Sequence, residues 1–250
     1  MGLSRTANII NIDIDPAEIG KNMETDIPLV GDARLILQQL NEKLGSIHFT
    51  DWTAELRSSG APQAAAPRKS TVSPKKVVQI LCEKADKDAV LVADVGQNQI
   101  WSARGFAIEN GRFLTSGGMG TMGYSVSASY GAKLACPDRQ VICICGDGSF
   151  QMQMMELATI CANQIPVKII VMNNMRLGMV KELQDKQYAG NEAAVSLEGN
   201  PDFVKLAAAY GINAGRICSD EKIADAIEKL LQDPNPCLLE CTISPDEPTL

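Results

Sequence analysis

The residues best placed to do chemistry are Asp147, set between Gly146 and Gly148, and the pair Asn173-Asn174 further along the chain. The two glycines let the backbone turn tightly and approach a ligand, while Ser149 and the first amides of a following helix offer N–H donors to an anion. Asp147 would repel that anion. A divalent cation resolves the conflict: the Asp147 carboxylate and an amide oxygen of the Asn pair suit a hard ion whose other ligands are phosphate oxygens and water, and Mg²⁺ fits that role. Taken alone, Asn-Asn reads as a strand-ending turn; the presence of Asp147 favours the ligand reading.

The elements that must position these residues follow from two short apolar runs. Val141 to Cys145 leads straight into the Gly-Asp-Gly turn, and Val167 to Met172 leads straight into the Asn pair. Both suit buried strands of a parallel sheet, with Gln151 to Asn163 as the crossover helix. The result is a βαβ unit whose strands end side by side, where open α/β sheets hold ligands. Ala89 to Asp94 reads as the first strand of the main sheet. Gly117 to Gly123 leads into a helix from about Tyr124 to Leu134 and contains G-x-G-x-x-G at Gly118, Gly120 and Gly123. A Rossmann-type dinucleotide site is therefore the rival reading, with Asp147 as the ribose-gripping acid. Two features count against it: the glycines flanking Asp147, and an Asn pair that has no role in dinucleotide binding.

GDG followed, after a helix and a strand, by NN is the metal-diphosphate signature of thiamine diphosphate enzymes. The run GDGSFQM, MELAT, PVKIIVMNN and LGMV resembles the large subunit of acetolactate (acetohydroxyacid) synthase, as do DVGQNQIW at 94–101, SGGMGTMGYS at 116–125 and NIDIDPAEIGKN at 11–22. The resemblance implies an α/β fold, a mostly parallel sheet with helices on both faces, preceded by the tail of a central domain. It implies thiamine diphosphate and Mg²⁺ as cofactors, with Asp147, Asn174 and the Arg176 backbone carbonyl as protein ligands of the metal. Gly146, Gly148 and Ser149 would cradle the diphosphate. The amides of Gln97 and Asn98 would reach it, the second of these positions usually being His in that family. Gly178 and Met179 would border the cofactor. The Gly120 carbonyl and Met122 amide would hold the aminopyrimidine while the Met122 side chain props the cofactor in its bent form; the ordinary role of a methionine is core filling.

The same resemblance implies decarboxylation of pyruvate or a similar 2-oxo acid and its ligation to a second 2-oxo acid. The glutamate that activates the pyrimidine comes from a separate pyrimidine-binding domain, so no catalytic residue is expected within this chain, and the chain is expected to be inactive alone, either truncated or partnered. That domain, a homodimer or larger assembly, and a regulatory subunit are the implied partners. FAD belongs to the full-length enzyme, with most of its site outside these residues. Leu183 stands where biosynthetic relatives carry a Trp associated with 2-ketobutyrate, which favours pyruvate. Glyoxylate carboligase and aldehyde-transferring relatives remain alternatives, as does a non-catalytic module that keeps the fold without the cofactor.

In chain order, residues 1–45 read as the end of a central domain: a strand within NIINIDID (8–15), a turn after Pro16, and a helix from Asp32 to Leu44. Residues 46–72, with GAPQAAAP, read as a linker, and 73–250 as the cofactor domain, opening on Ser73-Pro74 as N-cap and first helical residue. Asp202 to Tyr210 and Glu221 to Leu231 read as amphipathic covering helices, and Pro236 to Ile243 as a closing strand. At 250 residues and 45% hydrophobic, the chain can bury one full domain and a small appendage. A net charge of -7 without a basic run speaks against nucleic acid or an anionic membrane as partner. No apolar stretch is long enough to span a bilayer. The eight cysteines include no C-x-x-C pair, and Cys143 and Cys145 share one strand face, so a reducing cytoplasm is the expected location. The one histidine, His48, falls in the expected linker, which leaves no His-based triad or multi-His metal site within the chain.

Overall fold

The structure, a computed structural model, describes residues 7–47, 49–58 and 71–249. His48 and the GAPQAAAP run lie outside the described residues. The chain divides into two compact units, residues 1–62 and 63–250.

In the first unit, β1 (Ile10–Asp13) and β2 (Ile27–Val30) pair in parallel, Ile10 opposite Ile27 and Asp13 opposite Val30. Helix α1 (Ala33–Leu44) follows, capped by Asp32, whose carboxylate accepts the amides of Arg34 at 2.8 Å and Leu35 at 3.2 Å. The sequence pattern shows only one strand here. β2 escapes it because IPLV is four residues long and carries a proline, which removes a ladder donor. Within the expected linker, a helix that the sequence pattern does not show, α2, spans Thr50–Ser58. No residue of α1 is buried, and Ile10, Ile27, Val30, Leu35 and Leu37 are exposed.

The second unit runs α3 (Pro74–Lys84), β3 (Val90–Ala93), α4 (Gln97–Gly105), β4 (Arg112–Leu114), α5 (Ser125–Ala135), β5 (Val141–Gly146), α6 (Asp147–Gln153), a 3₁₀ turn, α7 (Leu157–Ala162), β6 (Lys168–Asn173), α8 (Gly178–Gln187), α9 (Phe203–Ala209), β7 (Asn213–Ile217), α10 (Ile223–Gln232) and β8 (Cys237–Thr242). The six strands form one wholly parallel sheet in the order β4-β3-β5-β6-β8-β7. Its interior strands are buried on both faces, as a parallel sheet requires. Ile142 and Ile144 of β5 pack with Val77, Val78 and Leu81 of α3, Trp101 of α4 and Ile223 and Ile227 of α10. Cys143 and Cys145, the alternate residues, face Val126 of α5, Phe150 of α6, Leu157 and Ile160 of α7, and Phe203 of α9.

The expected crossover helix is corrected in two respects. It begins at Asp147 rather than Gln151, and the 3₁₀ turn at Met154–Glu156 divides it. The early start follows from Ser149, whose hydroxyl accepts the Gly146 amide and donates to the Gly146 carbonyl, both at 3.1 Å, closing the first turn. Among the described residues no helix is long and apolar enough to cross a membrane.

This wiring creates a crevice. β3 passes its chain to α4 on one face, and its neighbour β5 passes its chain to α6 on the opposite face. Between such strands the carboxyl end of the sheet opens into a cleft, the usual ligand position in doubly wound folds.

Candidate functional site

The residues lining this cleft include Gly96, Gln97 and Asn98 after β3, Met122 of the Gly-rich loop, Gly146 to Ser149 after β5, and Asn174, Arg176, Gly178 and Met179 after β6. The fold thus gathers in one place every residue expected from the sequence to hold the cofactor or the metal except Gly120; Asn173 and Leu183 do not line the cleft either. Helices α4, α6 and α8 all begin at it. A helix start carries N–H groups without intrahelical acceptors and a partial positive charge, so three of them converging make the cleft attractive to an anion.

Asp147 supplies the opposite attraction. Its side chain is 1% exposed. Oδ2 accepts the Asn200 side-chain amide at 2.6 Å, and among the described residues no Lys or Arg pairs with Asp147. Burial therefore pushes its carboxyl up to about 6, against the downward pull of Asn200 and of the backbone amides of Asp147, Gly148 and Met175. A buried carboxylate with amide donors but no basic partner is a ready cation ligand. Asn174, also buried, faces the same cleft; its Oδ1 accepts the Arg176 amide at 3.1 Å and its Nδ2 donates to Gln97 Oε1 at 3.0 Å. Among the described residues no three His, Cys, Asp or Glu side chains gather as a metal cage. A cation here would complete its shell from carbonyls, water and phosphate, as Mg²⁺ commonly does. Among the described residues Arg176 is the one basic residue lining the cleft, and its guanidinium is paired with Glu192. A bound diphosphate would then be neutralised by metal and helix starts. The residues present fit such a group.

Two glycines keep the cleft open. A Cβ on Gly178 would stand 1.9 Å from Gln97 Oε1 and 2.8 Å from Asn174 Nδ2. One on Gly148 would stand 2.8 Å from Leu177 Cδ2 and 3.5 Å from the Met122 terminal methyl. The same contact places the Met122 side chain against the Gly-Asp-Gly turn rather than in a distant core.

Two amides expected to face a phosphate are otherwise engaged. Asn98 donates to the Asp94 carbonyl at 2.8 Å and the Ile144 carbonyl at 3.3 Å, bracing the ends of β3 and β5 together. Gln97 donates to Glu182 at 3.1 Å and the Glu247 carbonyl at 2.8 Å. Ser149 Oγ closes its own turn, as described.

Two residues of the site carry no clear signal in the sequence. Asp94, fully buried, accepts the amides of Val95 at 2.9 Å, Gly123 at 3.0 Å and Ser125 at 2.7 Å. It fixes the Gly-rich loop to the end of β3. It also occupies the start of α5, where a Rossmann site would hold its pyrophosphate; the dinucleotide reading of Gly118, Gly120 and Gly123 fails on that contact. The other is Asn200. Residues 195–197 pair antiparallel with 175–177, through Leu177 N–H to Val195 O at 2.8 Å and Leu197 N–H to Met175 O at 2.9 Å, and so deliver Asn200 to Asp147. An Asn before Pro-Asp could have marked a turn, but nothing in it points at Asp147.

The fold and the cleft at the carboxyl end of its sheet can be compared with known proteins. Residues 94–241 match the thiamine pyrophosphate enzyme C-terminal TPP binding domain, and residues 2–40 match the central domain of the same enzymes. The chain belongs to the thiamine pyrophosphate enzyme family. It is 42% identical over 254 residues to a probable acetolactate synthase large subunit of Methanocaldococcus jannaschii, covering 96% of this chain and 43% of that protein. A protein of the same description from Methanococcus aeolicus is 40% identical over 261 residues with the same coverage. The acetolactate synthase large subunit of Lactococcus lactis is 37% identical over 253 residues, covering 99% of this chain and 44% of its own length. The chain thus spans less than half the length of these relatives.

Proposed function

We propose that this chain is the cofactor-holding part of an acetolactate synthase-like enzyme, in which Asp147, Asn174 and the Arg176 carbonyl bind Mg²⁺ and the metal binds the diphosphate of thiamine diphosphate. The observation that carries the reading is the buried Asp147 carboxylate, without a basic partner, among three converging helix starts. When bound, the thiazolium supplies a carbon nucleophile and an electron sink for 2-oxo acid decarboxylation and ligation. The chain's own residues anchor and orient. The first turns of α6 and α8, with Gly146, Gly148, Gly178 and Met179, receive phosphate oxygens. Asn98 holds β3 to β5 so that the cleft keeps its width, and Met122 stands over the turn where the cofactor's middle would bend. The loop carrying Gly120, fixed through Asp94, offers backbone to the pyrimidine.

The cleft encloses about 100 Å³, below the roughly 300 Å³ at which pockets begin to enclose a whole ligand. That supports a half-site: the pyrimidine end, and the glutamate that activates it, would be covered by a pyrimidine-binding domain in a homodimer or larger assembly. Residues 1–45 as the end of a central domain, 46–72 as linker and 73–250 as cofactor domain complete the organisation, with FAD and a regulatory subunit belonging to the whole enzyme and the cytoplasm as its location. Leu183, on α8, stands where the resembling biosynthetic enzymes carry a Trp associated with 2-ketobutyrate, which supports pyruvate or another small 2-oxo acid as substrate.

Thermal unfolding with and without thiamine diphosphate, Mg²⁺ and EDTA tests the reading. At a hundred times the dissociation constant the ligands should stabilise the fold by about 2.7 kcal/mol. The shift is expected to need both cofactor and metal and to vanish in Asp147→Ala; a shift that persists in EDTA or in the variant overturns the metal assignment.

A further inference from the structure

We propose that Asn200 is a positioning residue for Asp147: its amide occupies one carboxylate oxygen and leaves the other to face the cation. The inference rests on the metal-site reading above and deepens it. Asn200 Nδ2 lies 2.6 Å from Asp147 Oδ2. Its orientation is set from behind, because Asn200 Oδ1 accepts the Gln151 side-chain amide at 2.7 Å. Gln151 stands one turn along α6 from Asp147, so the helix that begins with the ligand also carries the group that aims the ligand's partner.

The brace extends into the sheet. Asn200 Nδ2 also lies 3.4 Å from Asn173 Oδ1, and Asn173 Nδ2 donates to the buried Glu240 at 2.8 Å. Glu240 is paired in turn with Arg216, whose Nε lies 2.9 Å from Oε2. Asp147, directly after β5, is therefore tied through Asn200 to Asn173 at the end of β6 and to Glu240 of β8, and its Oδ1 has no side-chain donor among the described residues. A carboxylate so held can bind a metal through a single oxygen in a fixed direction. Mg²⁺ demands near-ideal octahedral geometry, whereas Ca²⁺ accepts one- or two-oxygen binding in a looser shell. The consequence is selectivity: Asn200 should favour Mg²⁺ over Ca²⁺.

The test titrates Mg²⁺ and, separately, Ca²⁺ into the chain with thiamine diphosphate and reads the midpoint of the thermal shift. Wild type is compared with Asn200→Leu, which keeps the size and loses the donor, and with Gln151→Met, which removes the group that aims it. The Mg²⁺ midpoint should rise about tenfold or more in Asn200→Leu, the usual cost of losing a partner behind a metal ligand. The Ca²⁺ midpoint should move less, and Gln151→Met should show the same order, Mg²⁺ moving more than Ca²⁺, by a smaller factor. Should Asn200→Leu fail to fold, Gln151→Met carries the test. Equal shifts for the two metals, as a merely structural role would give, or no shift in either variant, overturn the proposal. Absence of any metal-dependent shift in wild type overturns the underlying reading and this inference with it; a wild-type response with unchanged variants overturns only the inference.

Discussion

Asp147 is costly to the protein while its buried carboxylate is charged and has no basic partner among the described residues. Its carboxyl stands at about 6 in the folded chain against an ordinary value of 3.8, so between those values the native state binds the proton more tightly than the unfolded one. Stability contributed by this group therefore rises as pH falls from 7 towards 4, by up to about 3 kcal/mol at 1.36 kcal/mol per unit. Asp233, drawn down chiefly by the Asn213 side chain, works in the opposite sense and loses its contribution on acidification. Comparing wild type with Asp147→Asn by denaturant unfolding in EDTA isolates the first effect: wild type should gain on the variant between pH 7.5 and pH 5. An unchanged difference between the two proteins would show that Asp147 is not desolvated. Asp147 was legible in the sequence because an apolar run delivers it between two glycines, and Asn174 because another such run ends on it. Asn200 and Asp94 were not. Asn200 owes its place to pairing between distant segments, and Asp94 resembles any acid at a strand end.

At the level of elements, the strands that carry the site were the easiest to read. β5 is a Val/Ile/Cys run from Val141 to Cys145 and β6 is apolar from Ile169 to Met172, because both faces of each are covered. The strands that escaped were β2, β4 and β7: the main-sheet edges, β4 and β7, are short and half-exposed, and NAGRI carries a glycine and an arginine where an interior strand would carry branched apolar residues. Helix α4 escaped because Ile100 and Trp101 are its only large apolar residues and its N-cap, Gly96, makes no side-chain bond. What joins elements that sequence shows only separately is Asp94, the clamp between β3, the Gly-rich loop and α5. Asp94→Ala would leave three backbone N–H groups without their acceptor, one of them on the distant loop and one at the start of α5. At about 1–3 kcal/mol for each buried donor left unsatisfied, the variant should lose roughly 3 kcal/mol in urea unfolding and loosen Met122. A loss under about 1 kcal/mol would mean that water replaces the carboxylate and that the loop is held by other contacts.

For the molecule as a whole, the half-site reading makes a demand on assembly. With Mg²⁺ and thiamine diphosphate, the chain alone should form no acetolactate from pyruvate, while addition of a pyrimidine-binding domain as a separate polypeptide should restore formation in wild type and not in Asp147→Ala. Activity of the unaccompanied chain would place the activating group inside these residues, against the reading. The buried Asp94 has one more consequence. This domain contains two glycine-containing turns, each leading into a helix, and on the proposed reading they would attract ions of opposite sign. Where the acid precedes the turn and folds back onto the next helix, the chain answers its own helix with an internal counter-ion and the turn is closed to phosphate. Where the acid sits inside the turn, at Asp147, no basic side chain among the described residues answers it, and on the proposed reading the turn would open to a metal and whatever anion the metal carries. The position of a single carboxylate relative to its glycines, more than the glycines themselves, thus tells an occupied turn from a receptive one.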